Sequence, residues 1–187
     1  NKNAFDLSLY KQEEQTVLNL DVKKADCQEI LSILHYISPS INSQWDIKEG
    51  LLDASLAFSF QKDMSTPSFI AKGELTEIQG SHKNHPLLLS LPKIEIDFQS
   101  EAQKERASSY LHYLLNQGKG EYTLYKGAKI FCDSNSLSEW SIQDLEGSMR
   151  FEAKQSARLL LQGQMQRAKE FIPLVLEGEG FINQIGD

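Results

Sequence analysis

The chain has 187 residues, 40% of them hydrophobic and 24% charged, which is ordinary for a soluble globular protein that buries one sizeable core. Its formal net charge of −7 argues against a general nucleic-acid binder, which needs a basic footprint. No apolar run approaches the ~20 residues that span a bilayer, and no signal-peptide pattern is visible. The chain begins without a methionine and ends just after a strand-like stretch. We therefore expect a single domain, residues 1–187, that is a fragment of a longer protein.

Apolar and polar residues alternate along most of the chain, as is typical of half-buried strands with one apolar and one polar face. In the first such run, Phe5, Leu7 and Leu9 share one face, with Asp6 and Ser8 on the other. Continuous apolar runs, which mark parallel sheets buried on both faces, are few. We therefore predict a mainly β protein with an antiparallel sheet of about ten strands. The alternating runs are 5–9, 18–22, 52–60, 69–75, 87–91, 94–98, 122–130, 145–151, 159–165 and 174–182.

Two segments depart from the alternation and are candidate helices. Asp26 is a suitable N-cap with an acidic residue three positions later, and apolar residues at helical spacing follow until Pro39. This pattern predicts an amphipathic helix of about eleven residues. Ser100 opens a similar capping box, and an apolar stripe over 107–115 predicts a second helix that ends at Gly118. The first half of that second segment is nearly all polar, so a loop is an equally good interpretation.

The two tryptophans, Trp45 and Trp140, open the same local pattern. Each begins an aromatic-x-Ile motif, followed by polar residues, a glycine and an alternating apolar run. The shared context indicates a structural unit that is used twice within one continuous sheet. We expect both tryptophans to begin strands and to pack at the rim of the sheet rather than to contact a ligand.

The sequence contains few candidates for catalysis or metal binding. His82 and His85 lie in a polar segment without further ligands at matching spacing, so we expect an exposed turn. Most paired carboxylates fall on the polar faces of predicted strands, and no P-loop, nucleophile elbow or dinucleotide fingerprint occurs. We therefore predict no enzyme, no catalytic residues, no cofactor and no metal site. Cys27 and Cys132 are too few for a disulfide framework and are expected to be free thiols.

The apolar strand faces leave two alternatives open. They can form the closed core of a sandwich or barrel that the first helix covers. Alternatively, the sheet curls and its apolar face stays partly open as a groove. Such a groove suits acyl chains, because these require continuous apolar surface and little else.

Several segments together resemble the AsmA/TamB-like proteins of Gram-negative envelopes, which consist of repeating β-groove units. The resemblance extends over most of the chain. It departs from the family pattern at 100–118, where a helical insert interrupts the groove repeat. The segments that resemble the family are the strand-to-helix stretch 17–34, the two tryptophan-led stretches 45–56 and 140–151, the glycine-bounded strand 73–80, and the strands 87–98, 157–163 and 174–183.

The resemblance implies an elongated, taco-shaped sheet with an apolar interior. It also implies a periplasmic location in a protein anchored to the inner membrane, with neighbouring repeats on either side. Family members are implicated in phospholipid transport to the outer membrane, and TamB also in outer-membrane protein assembly with a β-barrel partner. No family motif is catalytic, so the resemblance assigns no catalytic residue to this chain.

We therefore expect a curled antiparallel sheet, a β-taco or sandwich-like groove with one or two short helices, that holds or conducts lipid acyl chains between envelope membranes. The expected partners are phospholipid, neighbouring repeats and an outer-membrane β-barrel protein, with no nucleic acid. The alternative is a structural or protein-interaction module that acts through its sheet edges and binds no ligand. The candidates for the groove lining are Leu52, Leu56, Phe58, Met149, Phe151, Leu159 and Leu161.

Overall fold

The computed structural model describes residues 4–37, 44–102, 104, 118–132, 140–152, 157–167 and 169–180. Within these ranges, nine strands and one helix follow one another along the chain. The helix of eleven residues is too short to cross a membrane, and no other described helix exists that could do so. The elements are β1 (Ala4–Gln12), β2 (Gln15–Asp26), α1 (Cys27–Ile37), β3 (Trp45–Gln61), β4 (Ser68–His82), β5 (Leu87–Ser100), β6 (Gly118–Cys132), β7 (Trp140–Glu152), β8 (Ala157–Arg167) and β9 (Glu170–Gly180).

The nine strands form one sheet in which every strand pairs antiparallel with its neighbours in the chain, in the order β1 to β9. The predicted mainly β fold, a curled and open antiparallel sheet, is therefore confirmed. The runs 87–91 and 94–98, which appear separate in the sequence, belong to the single strand β5, and Pro92 lies within it. This merger explains why the structure has nine described strands where the alternation suggests about ten.

The register places residues of like character side by side on each face. One face, called the apolar face below, has a cross-strand row of Leu7, Leu20, Leu56, Ala71, Phe98, Gly120, Phe151 and Ala157. The opposite face, called the polar face, has a parallel row of Asp21, Ser55, Lys72, Asp97, Glu121, Arg150, Arg158 and Glu179. Because side chains alternate between faces with a period of two, this single register sorts all nine strands consistently.

A line of irregular positions crosses the middle strands and is called the crease. Register shifts interrupt the pairing of β2 with β3, β3 with β4, β5 with β6, β6 with β7 and β7 with β8. Extra residues of this kind are β-bulges, which bend a strand and increase its twist. In β5 the line passes through a proline, a residue that central strands accept only at such irregularities. The crease consists of Lys24 (φ 51°), Gly50 (148°), Glu77 (55°), Pro92, Gly127 (102°) and Asp144 (51°).

The sheet bends toward its apolar face at the crease. Ala128 is fully buried, and Ala25, two residues before helix α1, is 1% exposed. A methyl group is too short to be covered on the outer side of a bend, so these residues lie on the inner side. Larger side chains beside them, Ile78 and Leu145, are also buried. The crease is therefore the line along which the strands fold inward.

Helix α1 follows β2 directly and packs on β3 and β2. The Asp26 carboxylate accepts hydrogen bonds from the backbone N–H groups of Gln28 (2.7 Å) and Glu29 (3.4 Å), which confirms the predicted N-cap. The Gln28 side-chain amide donates to the Lys48 carbonyl of β3 at 2.8 Å. A side chain at Gly50 would have its Cβ 3.1 Å from the Cys27 Sγ, so this glycine leaves the space in which the helix docks.

The second predicted helix cannot be compared with the structure, because 105–117 lie outside the described residues. Its proposed boundaries are strand residues, since Ser100 ends β5 and Gly118 begins β6. Cys27 and Cys132 are free thiols, as expected, and Cys27 is buried.

Candidate functional site

The most densely packed part of the apolar face is an aromatic cluster. Its members are Phe58, Phe69, Phe98, Tyr122 and Phe151, and the ring centroids of successive pairs lie 4.6 to 6.0 Å apart. Such distances are typical of favourable aromatic contacts. Three of the rings are buried, and burial also raises the pKa of Tyr122. The cluster therefore forms the core of the part of the sheet that lies between the crease and the C-terminal ends of β3, β5 and β7.

Gly120 is the residue that lets this cluster close. Phe98 on β5 and Phe151 on β7 are two strands apart, which corresponds to about 9.6 Å between strand axes. Their ring centroids are nevertheless only 5.8 Å apart, because the rings lean over the glycine of the strand between them. A Cβ at Gly120 would lie 2.7 Å from the Phe151 ring. A side chain on β6 at this position would therefore separate the two rings.

All seven predicted groove residues lie on the apolar face, but in different environments. Phe151 is only 5% exposed and belongs to the core, whereas Met149 is 39% exposed. The remaining five are half-buried. The register pairs Met149 with Leu159, and Leu161 with Gly147, so the β7 and β8 candidates form one contiguous group. The candidates on β3, Leu52, Leu56 and Phe58, form a second group that strands β4 to β6 separate from the first.

A second part of the apolar face lies on the other side of the crease from the aromatic cluster. This is the side on which β3 begins at Trp45 and β7 begins at Trp140. Its central row is continuous from β3 to β9 and contains no charged residue. Sequence reasoning did not select these positions, because the apolar residues change between odd and even numbers at the crease in β3, β4, β5 and β7, so the runs on its two sides look unrelated. The residues of this row are Ile47, Gly80, Leu89, Ile130, Ile142, Met165 and Ile172.

The tryptophans begin strands as predicted, Trp45 in β3 and Trp140 in β7. Trp45 makes an edge-to-face contact with His82, with the ring centroids 5.2 Å apart. The prediction of an exposed turn is correct for His85 but wrong for His82, which is half-buried because it packs between Trp45 and His85. The His82 Nδ1 accepts a hydrogen bond from the backbone N–H of Asn84. This pair of imidazoles therefore stabilises the β4–β5 turn.

The polar face is held by cross-strand ion pairs. Lys72 pairs with Asp97 at 3.1 Å, and an equivalent pairing joins Arg150 to Glu121 and Arg158 to Glu179. These residues are neighbours in register, so the pairs bridge adjacent strands. Because the side chains are largely exposed, each pair contributes little to stability. Their main effect is to cover this face with charge.

A denser polar network surrounds Lys93, whose ammonium group lies 2.7 Å from Glu74 and 2.8 Å from Glu95. The Tyr125 hydroxyl donates a second hydrogen bond to Glu95 at 2.7 Å. Hydrogen bonds to Glu74 and Glu95 raise the pKa of Lys93, while those from Lys93 and then Tyr125 lower the pKa of Glu95. The hydrogen bond that the Tyr125 hydroxyl donates to Glu95 also raises the pKa of Tyr125. These shifts favour the protonation state that each group already has near neutral pH, with Lys93 and Tyr125 protonated and Glu95 ionised.

The polar face also has a depression of about 620 Å³ across β2 to β6. Its lining is mostly charged, with six carboxylates and two lysines, so it is a poor site for an acyl chain. Within the described ranges, no group of three or more His, Cys, Asp or Glu side chains is placed to hold a metal ion. Burial and the neighbouring Asp26 carboxylate raise the pKa of the Cys27 thiol, which disfavours the reactive thiolate. The charged residues that line the depression are Asp21, Lys23, Asp53, Lys72, Glu74, Glu95, Asp97 and Glu121.

The apolar face can make non-covalent contacts with apolar groups. It offers a folded sheet surface, a packed aromatic core on one side of the crease and partly exposed aliphatic residues around Met149. Comparison with protein-family models, with curated proteins and with solved structures gives no match to this chain.

Proposed function

We propose that the apolar face holds the acyl chains of a lipid. The observation that supports this most directly is the partly exposed apolar surface that adjoins the buried cluster, with Met149 at its centre and Leu159 beside it. Each methylene group of an acyl chain that leaves water for such a surface contributes about 0.8 kcal/mol. An inward fold at the crease increases the contact area that one chain can make. Binding by this means requires no covalent step.

The proposal includes a cellular setting, which is supported by the resemblance to AsmA/TamB-like proteins. In that setting the domain lies in the periplasm, within a longer protein anchored to the inner membrane. It passes phospholipid along a series of similar apolar surfaces toward the outer membrane, and a β-barrel partner there links it to outer-membrane protein assembly. Movement along the surface is passive, since one apolar contact is exchanged for another.

A matched pair of substitutions tests lipid binding. Met149 lies on the apolar face at 39% exposure, and Leu160 lies on the polar face of the adjacent strand at 42%. Glutamate at either position is accessible to water in the free protein, so both variants should fold. The probe is phosphatidylethanolamine with a fluorescent acyl chain. We expect Met149→Glu to weaken binding at least tenfold, because the carboxylate must be desolvated under the acyl chain, and Leu160→Glu to leave it unchanged.

Circular dichroism and urea unfolding of both variants confirm that the fold is retained. The proposal fails if the wild-type protein does not bind the probe, or if both variants lose binding equally. Mass spectrometry of an organic extract of the purified protein provides an independent measurement. Co-purified phospholipid should be present in the wild type and depleted in Met149→Glu.

A second candidate function is an interaction module that acts through the sheet edges. It is favoured by the apolar side chains exposed on the two outer strands, including Leu7 and Leu9 on β1 and Val175 on β9. Among the residues that the structure describes, each outer strand has one neighbour in the sheet, which leaves one row of its backbone groups without a described strand partner. The two functions are compatible, because one uses a face of the sheet and the other its edges.

A further inference from the structure

One arginine lies on the apolar face, at the end of the sheet where β3 and β7 begin. Arg167 is the last residue of β8, two positions after Met165, so the two residues share a face. Among the described residues that the register pairs on the apolar face from β2 to β8, Arg167 is the one with a formal charge. Its side chain is exposed. A cation therefore stands at the margin of an otherwise uncharged surface.

Arg167 differs from the other described arginines in its ionic contacts. Arg150 and Arg158 each pair with a glutamate of the neighbouring strand across the polar face, at 3.0 and 3.1 Å. The register places Glu170 of β9 beside Arg167, yet within the described part of the chain the Arg167 guanidinium has no ion pair or hydrogen bond. Its N–H donors are therefore available to an anion, and their planar arrangement suits two oxygens of one phosphate.

The separation between Arg167 and the exposed apolar surface suits a lipid. Leu161 lies six residues before Arg167 on β8, at about 20 Å, and adjoins the apolar group around Met149. The hydrocarbon layer of one bilayer leaflet is about 15 Å thick, so an acyl chain covers most of this distance. Trp140, opposite Arg167 in register, is half-buried. Indole rings favour such a boundary between apolar and polar surroundings.

We propose that Arg167 binds the phosphate of a phospholipid whose acyl chain lies along β8 toward Leu161. This inference rests on the proposed function and adds to it the position of the headgroup and the residue that recognises it. The guanidinium donates two N–H hydrogen bonds to phosphate oxygens, while the acyl chain contacts Met165 and the residues beyond it. A neutral diacylglycerol makes the same apolar contacts but has no anion for Arg167.

The charges next to Arg167 favour an anion only weakly, and this gives a further expectation. The two cations Arg167 and Lys169 and the one anion Glu170 leave a local net charge of +1, in a chain whose formal net charge is −7. Glu170 lies on the same face as Arg167 and repels a phosphate bound there. Glu170→Gln should therefore strengthen the binding of an anionic lipid. An unchanged affinity would contradict a phosphate at Arg167.

Binding of two probes with the same fluorescent acyl chain, phosphatidylglycerol and diacylglycerol, tests the assignment. The wild type should bind phosphatidylglycerol at least about tenfold more tightly. Arg167→Gln should abolish this preference and leave diacylglycerol binding unchanged. Arg167→Lys should retain part of the preference, because an ammonium group keeps the charge but not the planar pair of donors. Arg158→Gln, on the polar face of the same strand, is the matched control and should change neither affinity.

The outcomes separate this inference from the proposed function. If neither probe binds the wild type, the proposed function fails, and the inference fails with it. If both probes bind equally tightly, or if Arg158→Gln and Arg167→Gln weaken phosphatidylglycerol binding alike, the assignment of Arg167 alone is overturned. Co-sedimentation with phosphatidylglycerol vesicles without transfer of lipid to the protein would instead assign Arg167 to a membrane surface and would also overturn it. Circular dichroism of each variant confirms that the fold is retained.

Discussion

The apolar and polar faces are formed by the same nine strands in the same register, yet they stabilise the sheet in different ways. On the polar face, long charged side chains form exposed ion pairs such as Lys72–Asp97, which tolerate small changes of geometry. On the apolar face, rings converge over Gly120, and a Cβ at Gly120 or Gly147 would collide with its neighbours. A single-layered sheet therefore acquires a core by sorting small and large residues on one face. Three pairs of substitutions and one single substitution probe this difference.

The largest expected effect comes from Gly147→Val. A Cβ at this position would overlap the backbone carbonyl oxygen of Leu160 and lie 2.7 Å from a methyl carbon of Leu161. Backbone atoms of a paired strand cannot move aside without disrupting the ladder, so we expect a loss of at least about 3 kcal/mol of stability in urea unfolding. The adjacent Ser148→Val, on the polar face, is the control and should be nearly neutral. Equal losses for both would show that strand disruption, rather than crowding of the apolar face, is responsible.

Removing a ring from the aromatic cluster should rank next. Phe98 contacts both Phe69 and Phe151, and Phe98→Ala leaves a cavity between them. Substitutions of this kind cost about 3 to 5 kcal/mol, and the open side of the sheet places this one at the lower end. Gln99→Ala, one residue along on the polar face, should cost less than about 0.5 kcal/mol. A loss below about 1 kcal/mol for Phe98→Ala would indicate that the cluster is not a core.

Enlarging a residue at the crease tests whether the bend is tightly packed. Ala128 is fully buried on the inner side, so Ala128→Leu must push apart neighbours such as Leu145. Overpacking of this kind costs about 2 kcal/mol, which differential scanning calorimetry detects as a lower Tm. Lys129→Leu on the opposite face should leave the Tm nearly unchanged. A neutral Ala128→Leu would mean that the crease has free space on its inner side.

The smallest effect concerns the polar network and depends on pH. Contacts with Lys93 and then Tyr125 lower the pKa of Glu95, so the folded state binds this proton less tightly than the unfolded chain. The resulting stabilisation is complete above the unfolded pKa of about 4.3 and is lost as the pH falls through the folded pKa. Glu95→Gln should therefore lower the urea midpoint at pH 7 and converge with the wild type in strong acid. A constant difference at all pH values would exclude ionisation of Glu95 as the cause.

The strands and the antiparallel order were predictable because a period of two is a local property of the sequence. The N-cap at Asp26 was predictable for the same reason, since its hydrogen bonds reach only Gln28 and Glu29. The crease was not predicted, although the shift from odd to even numbering between Leu91 and Ile94 marks it in the sequence. Because such a shift also occurs between separate strands, alternation alone does not distinguish a bulge from a turn.

The candidate groove residues illustrate a different limit. Alternation correctly placed Met149 and Phe151 on one face, but it did not reveal that one is exposed and the other buried. That difference depends on Gly120, which lies opposite Phe151 only in the observed register. Register is a relation between distant segments, and it follows from the summed fit of many pairs rather than from any one strand. Assignments of this kind require the structure.

The number of strands has a consequence for how copies of this sheet can join. In an antiparallel meander, direction alternates with each strand, so β1 and β9 of the nine-stranded sheet point the same way. Adding the β1 edge of one copy to the β9 edge of the next, with the apolar faces aligned, would make a parallel pair of strands. Like edges, by contrast, meet antiparallel. With the nine strands that the structure describes, antiparallel addition of another copy with aligned apolar faces is therefore possible only between like edges.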